Sequence, residues 1–400
     1  MNEGFSPQVA YIGVLFGLFV VPRVLQRFRI PAAITSLCLG AAAGPGLGLF
    51  AGDAVIALLS TLGIVSLFLF AGLEVNVAEL LRERRILTEH IAVRLAVLAL
   101  GAWVVAKAFP LDARPAVLFA LAVLTPSTGF ILDSLSILGL PEATNFWVRS
   151  KAIATELVAL TALFFTLQSA STGELALSTA ALVLLVALLP VAFRAFARHV
   201  VPYAPNSEFA FLLMVSVVCA FATKKLGVYY LVGAFVVGMV AQRLREELPA
   251  MASERMLDAI ESFASIFVPF YFFHAGLALR RSAFSFGALL TGCLLLLLAV
   301  PLRLVLVAAH RKLRLGESFR ESLRVGIPMT PTLVFTLVVA EILGERFAAP
   351  SHVTGGLVIY ALGNTVIPSV VLRSPPPEFE TPEVPAMRSN PRISSSDRSR

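Results

Sequence analysis

Glu156 stands in the middle of an apolar run, Ala152-Ile153-Ala154-Thr155-Glu156-Leu157-Val158-Ala159-Leu160. A charged carboxylate at the centre of a membrane span is disfavoured by roughly 2.5–3.5 kcal/mol on insertion scales, so it must be protonated, paired or turned toward water. Each of those states suits a group that holds H+ and a cation in turn. Burial favours the protonated form and a nearby cation favours the ionised one, so the two ligands compete for one site. Such competition, joined to alternating access, gives exchange. The structural alternative is a static ion pair with Arg303, which lies in Ala299-Val300-Pro301-Leu302-Arg303-Leu304-Val305-Leu306.

Two interrupted segments carry the next chemistry. In Leu124-Thr125-Pro126-Ser127-Thr128-Gly129 the proline removes a donor and clashes with the preceding turn, and the glycine loosens the backbone. The pattern returns at Gly326-Ile327-Pro328-Met329-Thr330-Pro331-Thr332. Carbonyls freed in hydrocarbon cost several kcal/mol unless they line a cavity or meet a partner. Paired half-helices also aim their dipole ends at the midplane, where the hydroxyls of Thr125, Ser127, Thr128, Thr330 and Thr332 could help coordinate a small cation. Two ordinary proline kinks, satisfied by neighbouring hydroxyls, are the bland reading. Arg303 can offset the negative half-helix ends or pair with Glu156, but an arginine does not shuttle protons. Arg94 is expected about one turn inside its span, snorkelling to the cytoplasm. Glu74 is expected at an interface, Asp133 solvated, and His274 packed and hydrogen-bonded.

The elements that must hold these residues follow from composition. Of 400 residues, 58% are hydrophobic and only 14% charged, and the mean hydropathy is +0.86. Soluble domains carry roughly 25% charged residues, so a polytopic all-α membrane protein is expected. Apolar blocks near the length of about 20 residues that a span requires fall at 7–25, 31–50, 54–73, 91–109, 115–138, 146–168, 176–195, 207–223, 227–243, 259–278, 284–308, 319–343 and 352–372, thirteen in all. The formal net charge of +7 then reads as loop charge. Arg23, Arg27, Arg29, Arg82, Arg84, Arg85, Arg149, Lys151, Arg311, Lys312 and Arg314 fall on one set of alternate connections. Cytoplasmic loops collect such residues, so the N-terminus is expected outside and the C-terminus inside, with no nucleic-acid partner. The N-terminus has no cleavable signal pattern. Residues 374–400, rich in Ser, Pro and Arg, read as a disordered tail.

Phe70-Ala71-Gly72-Leu73 returns as His274-Ala275-Gly276-Leu277, and Thr125-Pro126 returns as Thr330-Pro331, at a common offset of about 205 residues. Seven spans separate the copies, so two six-helix repeats are expected, inverted in the membrane and joined by the seventh span. Cys38, Cys219 and Cys293 sit in apolar runs and read as small buried hydrophobes. Gly44-Pro45-Gly46-Leu47-Gly48 reads as a span end and turn, because no strand precedes it as a dinucleotide loop would need. HExxH, Gly-x-Ser-x-Gly and Cys-x-x-Cys patterns do not occur, so neither an enzyme nor a cofactor is expected, and no metal beyond a transported monovalent cation.

With Pro31, Gly44-Pro45-Gly46, Phe70-Ala71-Gly72-Leu73-Glu74, Ser127-Thr128, Phe267-Val268-Pro269-Phe270-Tyr271-Phe272-Phe273, His274-Ala275-Gly276-Leu277 and Arg320-Glu321 in this order, the chain resembles the bacterial monovalent cation:proton antiporters. That family includes sodium/proton exchangers and potassium-efflux proteins, and the resemblance runs over about residues 7–372. It implies crossed broken helices and a homodimer in the inner (cell) membrane. A dimerisation panel would comprise 1–83 and 201–282, a moving core 84–170 and 283–373, and a linking helix 171–200. It places the ion-binding carboxylate at Glu156, its neighbour at Thr155, and the basic residue of the eleventh span at Arg303. Thr155-Glu156 departs from the family's usual pair and leaves one carboxylate, which implies electroneutral exchange of Na+ or K+ for H+. The opposed reading is a divergent member that keeps the fold as a sensor or scaffold without transporting.

Overall fold

The chain is seen in a computed structural model that describes residues 7–372 apart from 76–83, 110, 129–130, 132–140, 169–170, 205–206, 227–229, 245–246 and 249–253. Asp133 and the expected tail lie outside the described residues. The elements are helical, with no strand among the described residues. In chain order they are α1 (Pro7–Gln26), α2 (Ala32–Ala41, continued by a π turn at Ala42–Gly46), α3 (Ala54–Leu73), α4 (Arg84–Ala108) and α5 (Ala113–Leu124). Then come α6 (Glu142–Gln168), α7 (Thr172–His199), α8 (Glu208–Lys225), α9 (Tyr230–Arg243) and α10 (Glu254–Leu277). The last are α11 (Phe286–Leu315), α12 (Phe319–Gly326, followed by a 3-10 turn at Ile327–Met329), α13 (Leu333–Arg346) and α14 (Ser351–Val371).

Among the described residues, eight helices are long and apolar enough to cross a membrane. A ninth such span forms if α12 and α13 are taken together, bent by 54° at their break. Shorter apolar helices run over Ala32–Gly46, Ala113–Leu124 and Leu231–Arg243. The protein is therefore a multi-pass membrane protein. Exposed Leu and Val side chains such as Leu184, Leu188 and Val191 on α7 and Leu297 and Leu298 on α11 form the outward faces. In water these would be a liability; against lipid they are the expected surface. The cysteines divide accordingly. Cys219 is buried as expected, whereas Cys38 and Cys293 are exposed, because an apolar membrane helix has two apolar environments to choose from.

Local sequence sets several helix ends. Asp53 caps α3 by accepting from the amides of Val55 and Ile56 at 2.9 and 3.0 Å. Ser318 and Glu321 close a capping box at the start of α12, which gives Glu321 of the Arg320-Glu321 motif a structural job. Gly316 ends α11 in the left-handed conformation.

The helices pack in two groups. In one, α3 lies against α9 and α10, and α2 against α1 and α10. In the other, α5 packs on α4 and α13, and α14 on α11 and α13, with α6 against α4 and α5. The recurring Ala-Gly-Leu motif explains two of the close approaches in the first group. A Cβ on Gly72 would stand 2.2 Å from the Phe235 carbonyl oxygen on α9, and one on Gly276 would stand 2.2 Å from that of Leu37 on α2. Both glycines let two backbones touch, as small residues do between membrane helices. Gly72→Val and Gly276→Val are each expected to lower stability by about 3 kcal/mol or more, beyond ordinary overpacking because backbone rather than side chain must yield. The loss should appear as a lower midpoint of thermal unfolding in detergent, with Gly13→Ala, on an open helix face, as the neutral control.

Candidate functional site

The two interrupted segments meet and cross. The Ser127 amide donates to the Pro331 carbonyl at 2.8 Å, and the Val334 amide donates to the Ser127 hydroxyl at 3.2 Å. The Thr336 hydroxyl reaches the Ala122 carbonyl at 2.7 Å. Part of the backbone freed at the breaks is thus satisfied by the opposite segment, as burial in hydrocarbon demands.

Each break has its own arginine. Arg94, on α4, donates to the Leu124 carbonyl at 2.9 Å and to the Thr125 hydroxyl at 2.7 Å. Arg303, on α11, donates to the carbonyls of Met329 and Thr330 at 2.7 and 2.8 Å and to the Tyr360 hydroxyl at 3.0 Å. The carbonyls lie at the C-terminal ends of α5 and of the α12 turn, where helix partial charge is negative. The expectation for Arg94 is corrected here. It is buried rather than snorkelling, because α4 begins at Arg84 rather than at residue 91 and the guanidinium turns inward to its helix end. The offset of Arg303 from Arg94, close to that of the two Thr-Pro pairs, was the signal that could have shown their kinship. Arg303 meets the half-helix end, and among the described residues no ion pair joins it to Glu156.

Glu156 is buried on α6 and accepts a short hydrogen bond from the Thr128 hydroxyl. It faces a cavity of about 170 Å³ between the two helix groups. Thr125, Pro126, Ser127, Thr128, Val334 and Phe335 form the wall on its side, and Phe68, Ala71, Glu74, Val268 and Phe272 form the other. The cavity is therefore mostly apolar, with two carboxylates and a few hydroxyls. Val334 and Phe335 open α13, whose N-terminal dipole end is positive and favours an anionic carboxylate beside it.

Of the residues singled out from sequence, Glu156, Thr125, Ser127 and Thr128 come together on this cavity. Thr155, one residue from Glu156, faces a second cavity on the other side of the crossing. Thr330 donates back to the Ile327 carbonyl at 2.8 Å and lines that second cavity. Thr332 is held by Asn364, whose Nδ2 donates to its hydroxyl at 2.9 Å while the Thr332 amide donates to Asn364 Oδ1 at 3.0 Å. Asn364 and Tyr360, both on α14, were missed at the level of sequence. An asparagine between glycine and threonine in an apolar span was the available signal. Glu74, expected at an interface, lines the Glu156 cavity.

The family model for the transmembrane sodium/hydrogen exchanger matches residues 14–374. The chain belongs to this exchanger family. Two curated relatives agree. The Na(+)/H(+) antiporter NhaS5 of Synechocystis sp. is 24% identical over 92% of this exchanger-family chain, which spans only 53% of that longer protein. The probable Na(+)/H(+) antiporter 3 of Methanocaldococcus jannaschii is 23% identical, with 90% of this chain and 94% of that one covered. In fold, the chain resembles the sodium proton antiporter MjNhaP1 from the same organism, with a TM-score of 0.67 at 15% identity, covering 92% of this chain and 95% of that one. These relatives are exchangers rather than enzymes. The all-helical membrane fold and the family expected from the residue patterns both stand.

Proposed function

We propose that this chain is a secondary antiporter exchanging Na+ or K+ for H+, with Glu156 binding the two ions in turn. The observation that carries the reading is a buried carboxylate, with no ion pair among the described residues, facing a cavity where two broken helices meet. Protonated, Glu156 is a neutral group in apolar surroundings; ionised, it needs a cation, which Thr125, Ser127 and Thr128 help to coordinate with hydroxyl and carbonyl oxygens. Glu74, in the same cavity, draws cations toward Glu156. Thr155, Thr330 and Thr332 serve by holding the crossing in shape.

Alternating access follows if the group containing α4–α6 and α11–α14 slides against the group containing α1–α3 and α8–α10, with α7 between them. The first group is the proposed core, the second the proposed dimerisation panel of a homodimer, and each half of the chain contributes one inverted repeat. Basic loop residues support an orientation in the inner membrane with the N-terminus outside and the C-terminus in the cytoplasm. The exchange is electroneutral, because one carboxylate carries either one H+ or one monovalent cation.

The test is dissipation of a pH gradient in proteoliposomes on adding Na+ or K+. Flux with at least one of them, unchanged when valinomycin clamps the potential in the Na+ experiment, is expected. Absence of cation-dependent flux from pH 6 to 9 sinks the proposal. In the same assay, Glu74→Gln should raise the half-saturating cation concentration several-fold while leaving the maximal rate near that of the parent, since it removes attraction without touching the exchanging group.

A further inference from the structure

The crossing has a second cavity, and its chemistry is the opposite of the first. It measures about 70 Å³ and lies between α4, α6 and α11. Arg94, Lys151 and Arg303 line it together with His90, and among the described residues no carboxylate does. Glu89, next to His90 on α4, is already engaged, accepting from His310 at 2.8 Å and from Arg314. Lys151 Nζ donates to His310 Nδ1 at 3.1 Å and lies 5.0 Å from the centroid of the Trp147 ring, so its partners are neutral rings rather than a carboxylate. Both ring nitrogens of His90 and Nε of Arg94 are buried with no hydrogen-bond partner among the described residues. Three cations, two of them deeply buried, therefore face one small space with donors to spare. The helix-end carbonyls offset part of the charge on Arg94 and Arg303 but leave Lys151 and the free donors without an anion.

We propose that this cavity is an anion site that binds a phosphate group. Guanidinium and ammonium donors converging on one point are the chemistry that recognises phosphate oxygens. Two sources fit. Val93 and Leu306, both exposed, rim the cavity between α4 and α11, so the headgroup of an anionic lipid can enter from the side with its chains remaining in the bilayer. Inorganic phosphate is the other source. The site stands apart from Glu156, which faces the first cavity, so it does not depend on the transport reading. A phosphate there would bind Arg94 and Arg303 together across the two breaks.

The experiment uses the full chain in detergent and follows thermal unfolding. Phosphatidylglycerol mixed micelles are compared with phosphatidylcholine, and sodium phosphate with sodium chloride at equal ionic strength. A saturable rise of several degrees is expected with at least one anionic probe beyond its control. Saturation by phosphatidylglycerol alone assigns a lipid headgroup, and saturation by inorganic phosphate assigns a free anion. Lys151→Gln should raise the half-saturating concentration about tenfold, as loss of one charge-assisted hydrogen bond implies, and Glu156→Gln should leave it unchanged. Should Lys151→Gln not yield folded protein, Val93→Glu makes the same comparison from an exposed position, by presenting a tethered carboxylate that removes the response. No shift beyond the controls, or a shift of the same size and midpoint in Lys151→Gln or Val93→Glu, overturns the proposal.

Discussion

Replacing Glu156 with glutamine is expected to bring cation-dependent proton flux in proteoliposomes down to the level of protein-free vesicles. Glutamine has nearly the shape of glutamate and keeps an oxygen for the Thr128 hydroxyl, so the fold and the cavity should persist. What it lacks is the ability to lose a proton, and a neutral amide neither releases H+ nor attracts a cation strongly enough to replace it. Thermal unfolding of the variant should match or exceed the parent, because an isolated buried ionisable group is costly in its charged form. Glu156→Asp, one methylene shorter, should retain coupled flux with weaker cation affinity. If Glu156→Gln transports like the parent, the exchanging group lies elsewhere.

The second large effect concerns the arginines. Arg303→Met should lower stability by about 3 kcal/mol, since it leaves the Met329 and Thr330 carbonyls and the Tyr360 hydroxyl short of a donor and each orphaned buried group costs about 1–3 kcal/mol. Arg94→Met should act on the Leu124 end in the same way and by a similar amount. Arg303→Lys restores charge but not the fork, so it should recover only part of the loss. Melting curves in detergent decide the matter. If instead Arg303 served chiefly as the counter-ion of Glu156, pairing it with Glu156→Gln would restore the stability lost in Arg303→Met. The geometry predicts that it does not.

Much of this was legible in the residues themselves. Long uncharged blocks announce membrane helices because lipid tolerates few alternatives, and Glu156 announced itself because a carboxylate there is costly. The paired Thr-Pro breaks showed that two segments share a task. What could not be read was which hydroxyls turn to which side. Thr155 and Glu156 are adjacent, yet a helix turns by about 100° per residue, and they face different cavities. Thr332 was grouped with the carboxylate on chemistry alone, whereas Asn364, distant in sequence, holds it. Arg94 was misplaced because hydropathy finds where a span becomes apolar rather than where its helix begins, and α4 starts in a polar stretch from Arg84 to His90.

Having Glu156 alone as the exchanging group also sets a limit on what the proposed exchanger could accomplish in a cell. In the proposed cycle Glu156 is neutralised on both strokes, once by H+ and once by the cation. The mobile part then carries the same charge in each direction, and a membrane potential, worth about 2.3 kcal/mol per charge per 100 mV, does no net work over a cycle. Only the proton concentration ratio drives the process. Exchange stops when the cation ratio equals it, so roughly one pH unit sustains roughly a tenfold cation gradient. A cell whose cytoplasm is more acidic than its surroundings would find this protein importing the cation rather than expelling it.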